Sequence, residues 1–273
     1  MGHFIDGKKI ANDLYTMLAP FFREHQARLG IVVVGNNPVI ESFVKIKAKS
    51  AARLGIVMER KDLPETATTE EIIEELQKLA GDCDALIAQL PMPKLVDTNA
   101  VLSSIPSTHD VDALNPRHSS ERIVEAPVAL AVMEILARSD IEVFGKRVVV
   151  VGAGMLVGAP SAELLRKADA DVTMFTLQEG SIEDLIAADI VVSGAGKPGL
   201  IRPEHLKKGV ALIDAGTSEQ GGKVVGDADP ACIDVASIMT PVPGGVGPVA
   251  VAMIFCNLKL LMQNHTNIPA PIL

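Results

Sequence analysis

The hydrophobic positions of this chain fall into two alternating patterns. Short runs rich in Val and Ile, such as those at 30–35 and 147–151, are typical of buried strands. Between them lie longer segments whose apolar residues recur at helical spacing, such as 38–54 and 68–81. This alternation is typical of βαβ units, and it predicts an α/β fold with a mostly parallel sheet.

The first 120 residues contain one group of predicted elements. Gly55 closes the helix at 38–54, and the helix at 68–81 has a threonine cap, an acidic first turn and a glycine stop. The expected helices are 8–28, 38–54, 68–81 and 99–105, and the expected strands are 30–35, 56–63 and 85–93. We expect this group to form a first domain.

A second group of predicted elements begins near residue 120. It starts with a helix at 127–141 and a strand that runs directly into glycines. The expected strands are 145–154, 171–176, 189–195, 209–216 and 237–242, and an apolar helix follows from Pro248. Neither an internal repeat nor a low-complexity linker separates the two groups, so the pattern locates their boundary only approximately.

Composition narrows the class of protein. The 273 residues are 48% hydrophobic and 22% charged, enough for two compact domains. A net charge of -9 and the absence of a basic block disfavour nucleic acid as a partner. Three well-separated cysteines suggest neither a disulfide framework nor a zinc site, and we expect no metal. With neither a leader segment nor an uninterrupted apolar run of ~20 residues, we expect a cytoplasmic protein without a membrane partner.

A glycine-rich turn follows the first strand of the second group. Gly152, Gly154 and Gly158 stand where strand should change to helix; Gly152 suits a tight turn and Gly154 lets the backbone approach a pyrophosphate. This spacing predicts a dinucleotide site, and a tight turn without a ligand is the alternative. Neither Thr176 nor Leu177 is charged, so the stretch that usually reads the 2′ substituent leaves NAD and NADP open.

Three lysines alternate along the predicted helix at 38–54. Residues four apart share a helix face, so Lys47 points to the same side as Phe43, whereas Lys45 and Lys49 point away. We expect Lys45 and Lys49 to lie on a solvated surface. For Lys47, helix spacing alone does not distinguish an exposed lysine from a reactive one.

Several short motifs follow one another in an order that is specific as a set. They are the lysine helix "ESFVKIKAKS", "QLPMP", "DVDALNP", the glycine turn, "GAGKPGLI", "GGKVVGD" and "TPVPGGVGP". Over nearly its whole length the chain therefore resembles the bifunctional methylenetetrahydrofolate dehydrogenase/methenyltetrahydrofolate cyclohydrolase family. The resemblance implies a folate-binding catalytic domain at 1–120, completed by a C-terminal helix at 248–273, and a Rossmann-type dinucleotide-binding domain at 121–247. It also implies a cleft between the two domains.

The resemblance further implies a substrate, a cofactor and a partner. The substrates are tetrahydrofolate derivatives, the cofactor is NADP with NAD possible, and the chain forms a homodimer. Oxidation of 5,10-methylenetetrahydrofolate would be followed by hydrolysis to 10-formyltetrahydrofolate, in one-carbon metabolism and purine biosynthesis.

The family's functional residues map onto this sequence position by position. The implied catalytic residues are Lys47, Gln89 and Asp112. The implied substrate-binding residues are Phe43, Leu90, Pro91, Pro243, Gly244 and Gly245. The implied cofactor-binding residues are Gly152, Gly154, Val157, Gly158, Thr176, Gly194, Lys197 and Thr217.

Each implied catalytic residue suits its step. A lysine partly buried beside a cationic substrate has a lowered pKa, so Lys47 can exchange protons near neutrality. Gln89 can orient that amine; a polar residue that closes a strand end is the weaker alternative, because prolines fix the loop after it. Asp112 can accept two N–H bonds from a pterin edge, and a loop carboxylate that caps nearby N–H groups is the alternative.

Some residues depart from the family pattern. The family's tyrosine is Phe43, and its glycine after "DVD" is Ala113. Other departures are Ile40, the segment 124–129, Ala153, Gly154, Thr176, Leu177 and Ala250. Phe43 keeps a stacking surface but lacks a hydroxyl, which bears most on the cyclohydrolase step. Two other hypotheses therefore stay open: a catalytically impaired homologue that retains one activity or only binding, and a dehydrogenase of another small substrate.

Overall fold

The structure, a computed structural model, describes residues 2–118, 122–176 and 180–266 and confirms the α/β class. The chain divides into two compact units. We call Leu14–Glu125 with Ile254–Leu273 the three-stranded unit, and Met1–Asp13 with Ala126–Met253 the six-stranded unit.

The described residues form the following elements in chain order. The strands are β1 (His3–Phe4), β2 (Arg28–Val34), β3 (Val57–Leu63), β4 (Ala85–Ala88), β5 (Arg147–Val151), β6 (Asp171–Phe175), β7 (Ile190–Ser193), β8 (Ala211–Asp214), β9 (Ser218–Gln220), β10 (Lys223–Val225) and β11 (Ile238–Met239). The α-helices are α1 (Gly7–Glu24), α2 (Pro38–Leu54), α3 (Thr69–Ala80), α4 (Thr98–Ser103), α5 (Pro127–Arg138), α6 (Gly158–Lys167) and α7 (Val246–Thr266).

The three-stranded unit is built on a small parallel sheet. β2 lies at its centre, between β3 and β4. All residues of β2 after Arg28 are buried, as expected for a continuous apolar strand that is covered on both faces. Aliphatic side chains, among them Val32, Ile72 and Leu86, form the core of this unit.

Local signals at both ends fix α2. The side chain of Asn37 accepts a hydrogen bond from the N–H of Val39, and Pro38 occupies the first turn. At the other end Gly55 adopts the left-handed conformation with φ of 75°, which a side chain would disfavour. The predicted helix 38–54 is confirmed, and Lys47 near its middle has a well-defined backbone.

The six-stranded unit contains the predicted parallel sheet, in the order β1-β11-β8-β7-β5-β6. All its neighbouring strands are parallel. From β5 the chain continues to β6 on one side and then to β7 and β8 on the other, so the strand order reverses at β5. In open parallel sheets, ligands bind beyond the carboxyl ends of the strands at such a reversal.

β1 is an element that the sequence pattern did not predict. His3 and Phe4 pair in parallel with Ile238 and Met239 of β11, at the edge of the six-stranded sheet. A two-residue strand is too short to show periodicity. It is a strand only because a distant edge supplies its hydrogen-bonding partners.

Some element limits differ from those expected. The helix expected at 8–28 ends at Glu24, because the carbonyl of Ala27 already accepts a hydrogen bond from Val57 beside β3. The strand expected at 85–93 ends at Ala88, because the prolines that follow have no N–H for a ladder. The last helix begins at Val246 rather than at 248.

The expected domain limits at 120, 121, 247 and 248 stay predictions. Residues 267–273 of the expected final helix, and Leu177, lie outside the described residues.

One helix in the described part of the chain is long and apolar enough to cross a membrane by length and composition. It is Val246–Asn264, with a mean hydropathy of 1.6. Within this window 61% is buried in the protein, and the core helix of a soluble protein meets the same criterion. The helix is therefore weak evidence for a membrane span.

Candidate active site

Lys47 is the lysine of α2 that the fold turns inward. Its Nζ donates a hydrogen bond of 2.9 Å to Oε1 of Gln89, and its side chain is half-buried. Lys45 and Lys49 on the same helix are exposed, as the helix spacing predicted. The three lysines therefore differ in environment, and Lys47 is removed from bulk water.

Gln89 is held so that its oxygen faces the lysine. Its backbone N–H donates to the carbonyl of Val32, which continues the β2–β4 pairing by one residue beyond β4. Its side-chain Nε2 donates a hydrogen bond of 2.7 Å to the carbonyl of Leu90. Because the nitrogen is engaged there, the oxygen is left to accept from Lys47. The Leu90–Pro91 peptide bond is cis.

Asp112 reaches the same unit from a different segment of the chain. A parallel bridge between Leu86 and Asp110 places this segment beside β4, so Asp112 follows it at the edge where Gln89 lies. Within the described residues, the Asp112 carboxylate accepts no hydrogen bond. Both of its oxygens therefore have acceptor capacity left for a ligand that presents N–H groups.

Burial perturbs both ionisable groups of this site. Desolvation lowers the pKa of Lys47 below its ordinary value of 10.5, and the opposite charge of Asp112 counteracts part of this effect. Desolvation likewise raises the pKa of Asp112 above 3.8, against the effect of Lys47. The pKa of Lys47 and the pKa of Asp112 therefore move toward each other.

Two buried residues that the sequence analysis missed support the Asp112 segment. Asp110, only 5% exposed, accepts a hydrogen bond of 2.7 Å from the N–H of Asn115, and burial raises its pKa to about 6. From α7, the amide of Asn257 donates bonds of 2.8 Å to the carbonyls of Val111 and Glu125. An unusually polar position on the apolar α7 was the signal in the sequence for Asn257.

Phe43 presents an apolar surface on α2. Its side chain is 43% exposed, one turn before Lys47 on the helix. An exposed aromatic ring on a rigid helix offers a flat face on which a planar ligand can stack. The ring has no hydroxyl, so it adds no hydrogen-bonding group to the site.

The glycine turn of the six-stranded unit has the geometry of a backbone cradle. Gly152 has a φ of 97°, and a Cβ on it would lie 2.8 Å from the carbonyl oxygen of Gly194. A Cβ on Gly158, the first residue of α6, would lie 1.8 Å from the oxygen of Gly152. By contrast, a Cβ on Gly154 would meet nothing within 4 Å, so the backbone there is open to a ligand. These features fit a dinucleotide at the N-terminus of α6.

The other expected cofactor residues lie on loops at the same edge of this sheet. Thr176 follows β6, Gly194 and Lys197 follow β7, and Thr217 lies just after β8. Val157 caps α6, and a Cβ on Gly194 would lie 2.3 Å from its Cγ1. The structure thus brings these loops together around the glycine turn.

The expected site residues fall in both units. The six-stranded unit contains Pro243, Gly244 and Gly245, whereas the three-stranded unit contains Lys47, Gln89 and Asp112. The Val242–Pro243 peptide bond is cis, and Gly244 has a φ of 110°. A Cβ on Gly7 at the start of α1 would lie 1.8 Å from the oxygen of Gly245. This loop is therefore packed backbone to backbone against the first turn of α1.

Two protein-family models match the chain. The tetrahydrofolate dehydrogenase/cyclohydrolase catalytic domain matches residues 5–112, and the NAD(P)-binding domain of the same name matches residues 126–266. A relative from Staphylococcus aureus (strain Newman), the bifunctional protein FolD, is 35% identical over 271 residues, covering 94% of this chain and 95% of the relative.

Solved structures agree with the family models. The bifunctional enzyme FolD from Campylobacter jejuni, a methylenetetrahydrofolate dehydrogenase/cyclohydrolase, superposes with a TM-score of 0.91 at 31% identity, covering 95% of this chain and 98% of that one. The enzyme of the same kind from Trypanosoma brucei, solved with NADP and an inhibitor, has a TM-score of 0.91 at 33% identity and covers 97% and 98%.

Proposed function

The chain belongs to the tetrahydrofolate dehydrogenase/cyclohydrolase family, and we propose that it carries out both reactions of that name. It oxidises 5,10-methylenetetrahydrofolate to 5,10-methenyltetrahydrofolate with NADP. It then hydrolyses the methenyl compound to 10-formyltetrahydrofolate. Similarity to the Campylobacter jejuni and Trypanosoma brucei enzymes, the latter solved with NADP, supports this assignment.

The dehydrogenase step depends chiefly on positioning. NADP, when bound, accepts a hydride from the one-carbon bridge of the folate. The glycine turn and the N-terminus of α6 bind its pyrophosphate, with Gly152, Gly154 and Gly158 as the backbone cradle. In the three-stranded unit, Asp112 accepts N–H bonds from the pterin edge, and Phe43 stacks on the aminobenzoyl ring.

The cyclohydrolase step depends on Lys47. The step needs a water molecule to attack the methenyl carbon and a proton to move to the departing ring nitrogen. Burial lowers the pKa of Lys47, so a larger fraction of its amine is neutral near neutral pH and can take a proton from water. The oxygen of Gln89 aims the amine, and the charge of Asp112 moderates the shift of its pKa.

The observation that carries this proposal is the hydrogen bond between Lys47 and Gln89 in the same unit as the open carboxylate of Asp112. We further propose two domains: a folate-binding domain formed by 1–120 with 248–273, and a dinucleotide-binding domain at 121–247. We propose tetrahydrofolate derivatives as substrates, a homodimer in the cytoplasm, and no nucleic acid or membrane partner, in keeping with a net charge of -9.

The test is to follow the absorbance of methenyl-folate with purified protein, with NADP and NAD in parallel. We expect formation of the methenyl compound with NADP and its subsequent decay by hydrolysis. Failure of both cofactors to support oxidation would refute the dehydrogenase assignment. Oxidation without enzyme-dependent decay would leave a monofunctional dehydrogenase, which is the outcome that the missing hydroxyl of Phe43 makes worth testing.

A further inference from the structure

Asp227 is a buried acid whose carboxylate accepts hydrogen bonds from one short loop. It has no exposed surface. Its Oδ2 accepts bonds from the hydroxyl of Ser193 at 2.6 Å and the N–H of Ala195 at 2.7 Å, and its Oδ1 accepts from the N–H of Lys197 at 2.7 Å. One carboxylate therefore fixes three of the five residues from 193 to 197.

This loop begins at the end of β7, directly beside the glycine turn. A Cβ on Gly194 would lie 2.3 Å from Val157, and a Cβ on Gly152 would lie 2.8 Å from the oxygen of Gly194. No room remains for the loop to shift toward the turn. Beyond this contact, Gly196 adopts a φ of 65° and is exposed, so the backbone of the loop faces outward where the strand order reverses.

A second buried acid holds Asp227 in place. Asp214, 1% exposed, accepts bonds of 2.9 Å from the N–H groups of Gly216 and Ala228. A Cβ on Gly216 would lie 2.3 Å from the carboxyl carbon of Asp227, and one on Gly226 would lie 2.1 Å from Oδ2 of Asp214. The two carboxylates thus lie against glycine backbone, where any side chain would clash with them.

We propose that Asp227 is a positioning residue for the NADP site. It sets the backbone of residues 193–197, and that backbone, with the glycine turn, determines how tightly the nicotinamide cofactor binds. Asp227 is fully buried and does not itself reach the cofactor. The inference rests on the proposed function, because it takes Gly194 and Lys197 to be cofactor-binding residues.

The chemistry of the three bonds explains why this role requires a carboxylate. Two N–H groups and a hydroxyl point at its two oxygens, so both oxygens must be acceptors. An asparagine side chain has nearly the same size as that of aspartate, but it offers one oxygen and one NH2 group in place of two oxygens. Its NH2 would face either the N–H of Ala195 or that of Lys197, and the loop would have to move to separate the two donors.

The test compares the two activities of one variant. For Asp227→Asn we expect the KM for NADP to rise at least about tenfold, because bonds to a charged acceptor are the strong ones. The KM for methylenetetrahydrofolate and the rate of methenyl hydrolysis, which consumes no nicotinamide, should change by less than about twofold. A merely structural role would lower both activities together. Asp229→Asn is the matched control, because its Oδ1 accepts from the N–H of Ala231, two residues along the chain, and not from the loop at 193–197.

Ser193→Ala provides a second, milder variant. It removes one of the three bonds and keeps the carboxylate, so we expect a rise of roughly threefold in the KM for NADP. If Asp227→Asn does not fold, this variant decides the question. An unchanged KM for NADP in the folded variants, or a parallel loss of both activities, overturns the inference. Lack of NADP turnover in the unaltered protein would instead refute the proposed function.

Discussion

Two pairs of ionisable groups are withdrawn from water, but their surroundings differ. The first pair, Lys47 and Asp112, lies in the three-stranded unit, and the second, Asp214 and Asp227, lies in the six-stranded unit. Lys47 has a hydrogen bond to one side chain, and Asp112 accepts none within the described residues. Asp227 accepts three hydrogen bonds, and Asp214 accepts two from backbone N–H groups. The first pair is only half-buried, whereas the second has almost no exposed surface.

This difference separates groups that can react from groups that hold the fold. A buried charge with unfilled hydrogen-bonding capacity can bind a ligand or transfer a proton. A carboxylate whose oxygens are occupied by backbone donors is costly to move, because each abandoned donor would be left unpaired. Lys47 and Asp112 thus keep their charges available, whereas Asp214 and Asp227 fix loops.

The largest expected effect tests the reactive side of this comparison. Lys47→Met removes the amine and keeps a side chain of similar length, so methenyl hydrolysis should fall by about 10²- to 10⁴-fold, the usual contribution of a proton-transfer group. Folate binding should be retained, because Asp112 and Phe43 are unchanged. The measurement is the decay of methenyl-folate, with a folate binding assay alongside. Lys45→Met on the exposed face of α2 is the control, and equal hydrolysis by both variants would move the chemistry away from Lys47.

The next effect concerns stability and pH. Burial raises the pKa of Asp110 from 3.8 to about 6, so between these values the folded chain holds a proton that the unfolded chain has released. The free energy of unfolding should therefore fall as the pH rises through this window, by on the order of 3 kcal/mol for this group. Asp110→Asn should remove this part of the pH dependence.

Denaturant unfolding of both proteins at several pH values between 4 and 6 checks the prediction for Asp110. Burial raises the pKa of Asp214 to about 6 as well, so some dependence should persist in the variant. Identical pH slopes for the two proteins would show that Asp110 titrates normally.

A smaller effect tests the tuning of Lys47. Gln89→Glu places a carboxylate at the atom that now lies 2.9 Å from Nζ, which stabilises the ammonium form and raises the pKa of Lys47. We expect the rate of hydrolysis at neutral pH to fall about tenfold and the pH profile to move upward. Gln77→Glu, on an exposed position of α3, is the control. An unmoved profile in the Gln89 variant would separate the hydrogen bond from catalysis.

The smallest effect concerns the backbone beside Asp112. Ala113 has a φ of 55°, a conformation that costs a residue with a side chain about 1–2 kcal/mol. Ala113→Gly relieves this cost but increases the entropy lost on folding by about 0.5–1 kcal/mol. The free energy of unfolding should rise by up to about 1 kcal/mol. Ala129→Gly within α5 should instead lower it, and a decrease in both variants would contradict the strain at Ala113.

Much of the three-stranded unit could be predicted from sequence because its signals are local. Asn37, Pro38 and Gly55 limit α2 through bonds and backbone conformations within a few residues. The spacing of four between Phe43 and Lys47 then distinguished Lys47 from its neighbours. Local patterns also located the strand-to-helix turn at Gly152, although its close contact with Gly194 required the folded chain.

The supporting residues could not be predicted in this way. Asp227 belongs to the "GGKVVGD" motif, yet the motif alone does not say that its carboxylate binds a loop 30 to 34 residues earlier in the chain. Asn257 likewise donates to the carbonyl of Val111, 146 residues earlier. The signals in the sequence were a polar side chain directly after an apolar run of α7 and an acid next to a glycine.

The sequence by itself determined the order of the longer strands and helices, the face of α2 that bears Lys47, and the family. These follow from backbone periodicity and from motifs that are read in order. The tertiary structure decided that Gln89 aims Lys47 and that Asp112 accepts no hydrogen bond within the described residues. It also decided that His3 and Phe4 join the six-stranded sheet and that Asp227 binds its loop. The reason is physical: pKa shifts and hydrogen-bond partners arise from burial among segments far apart in the chain.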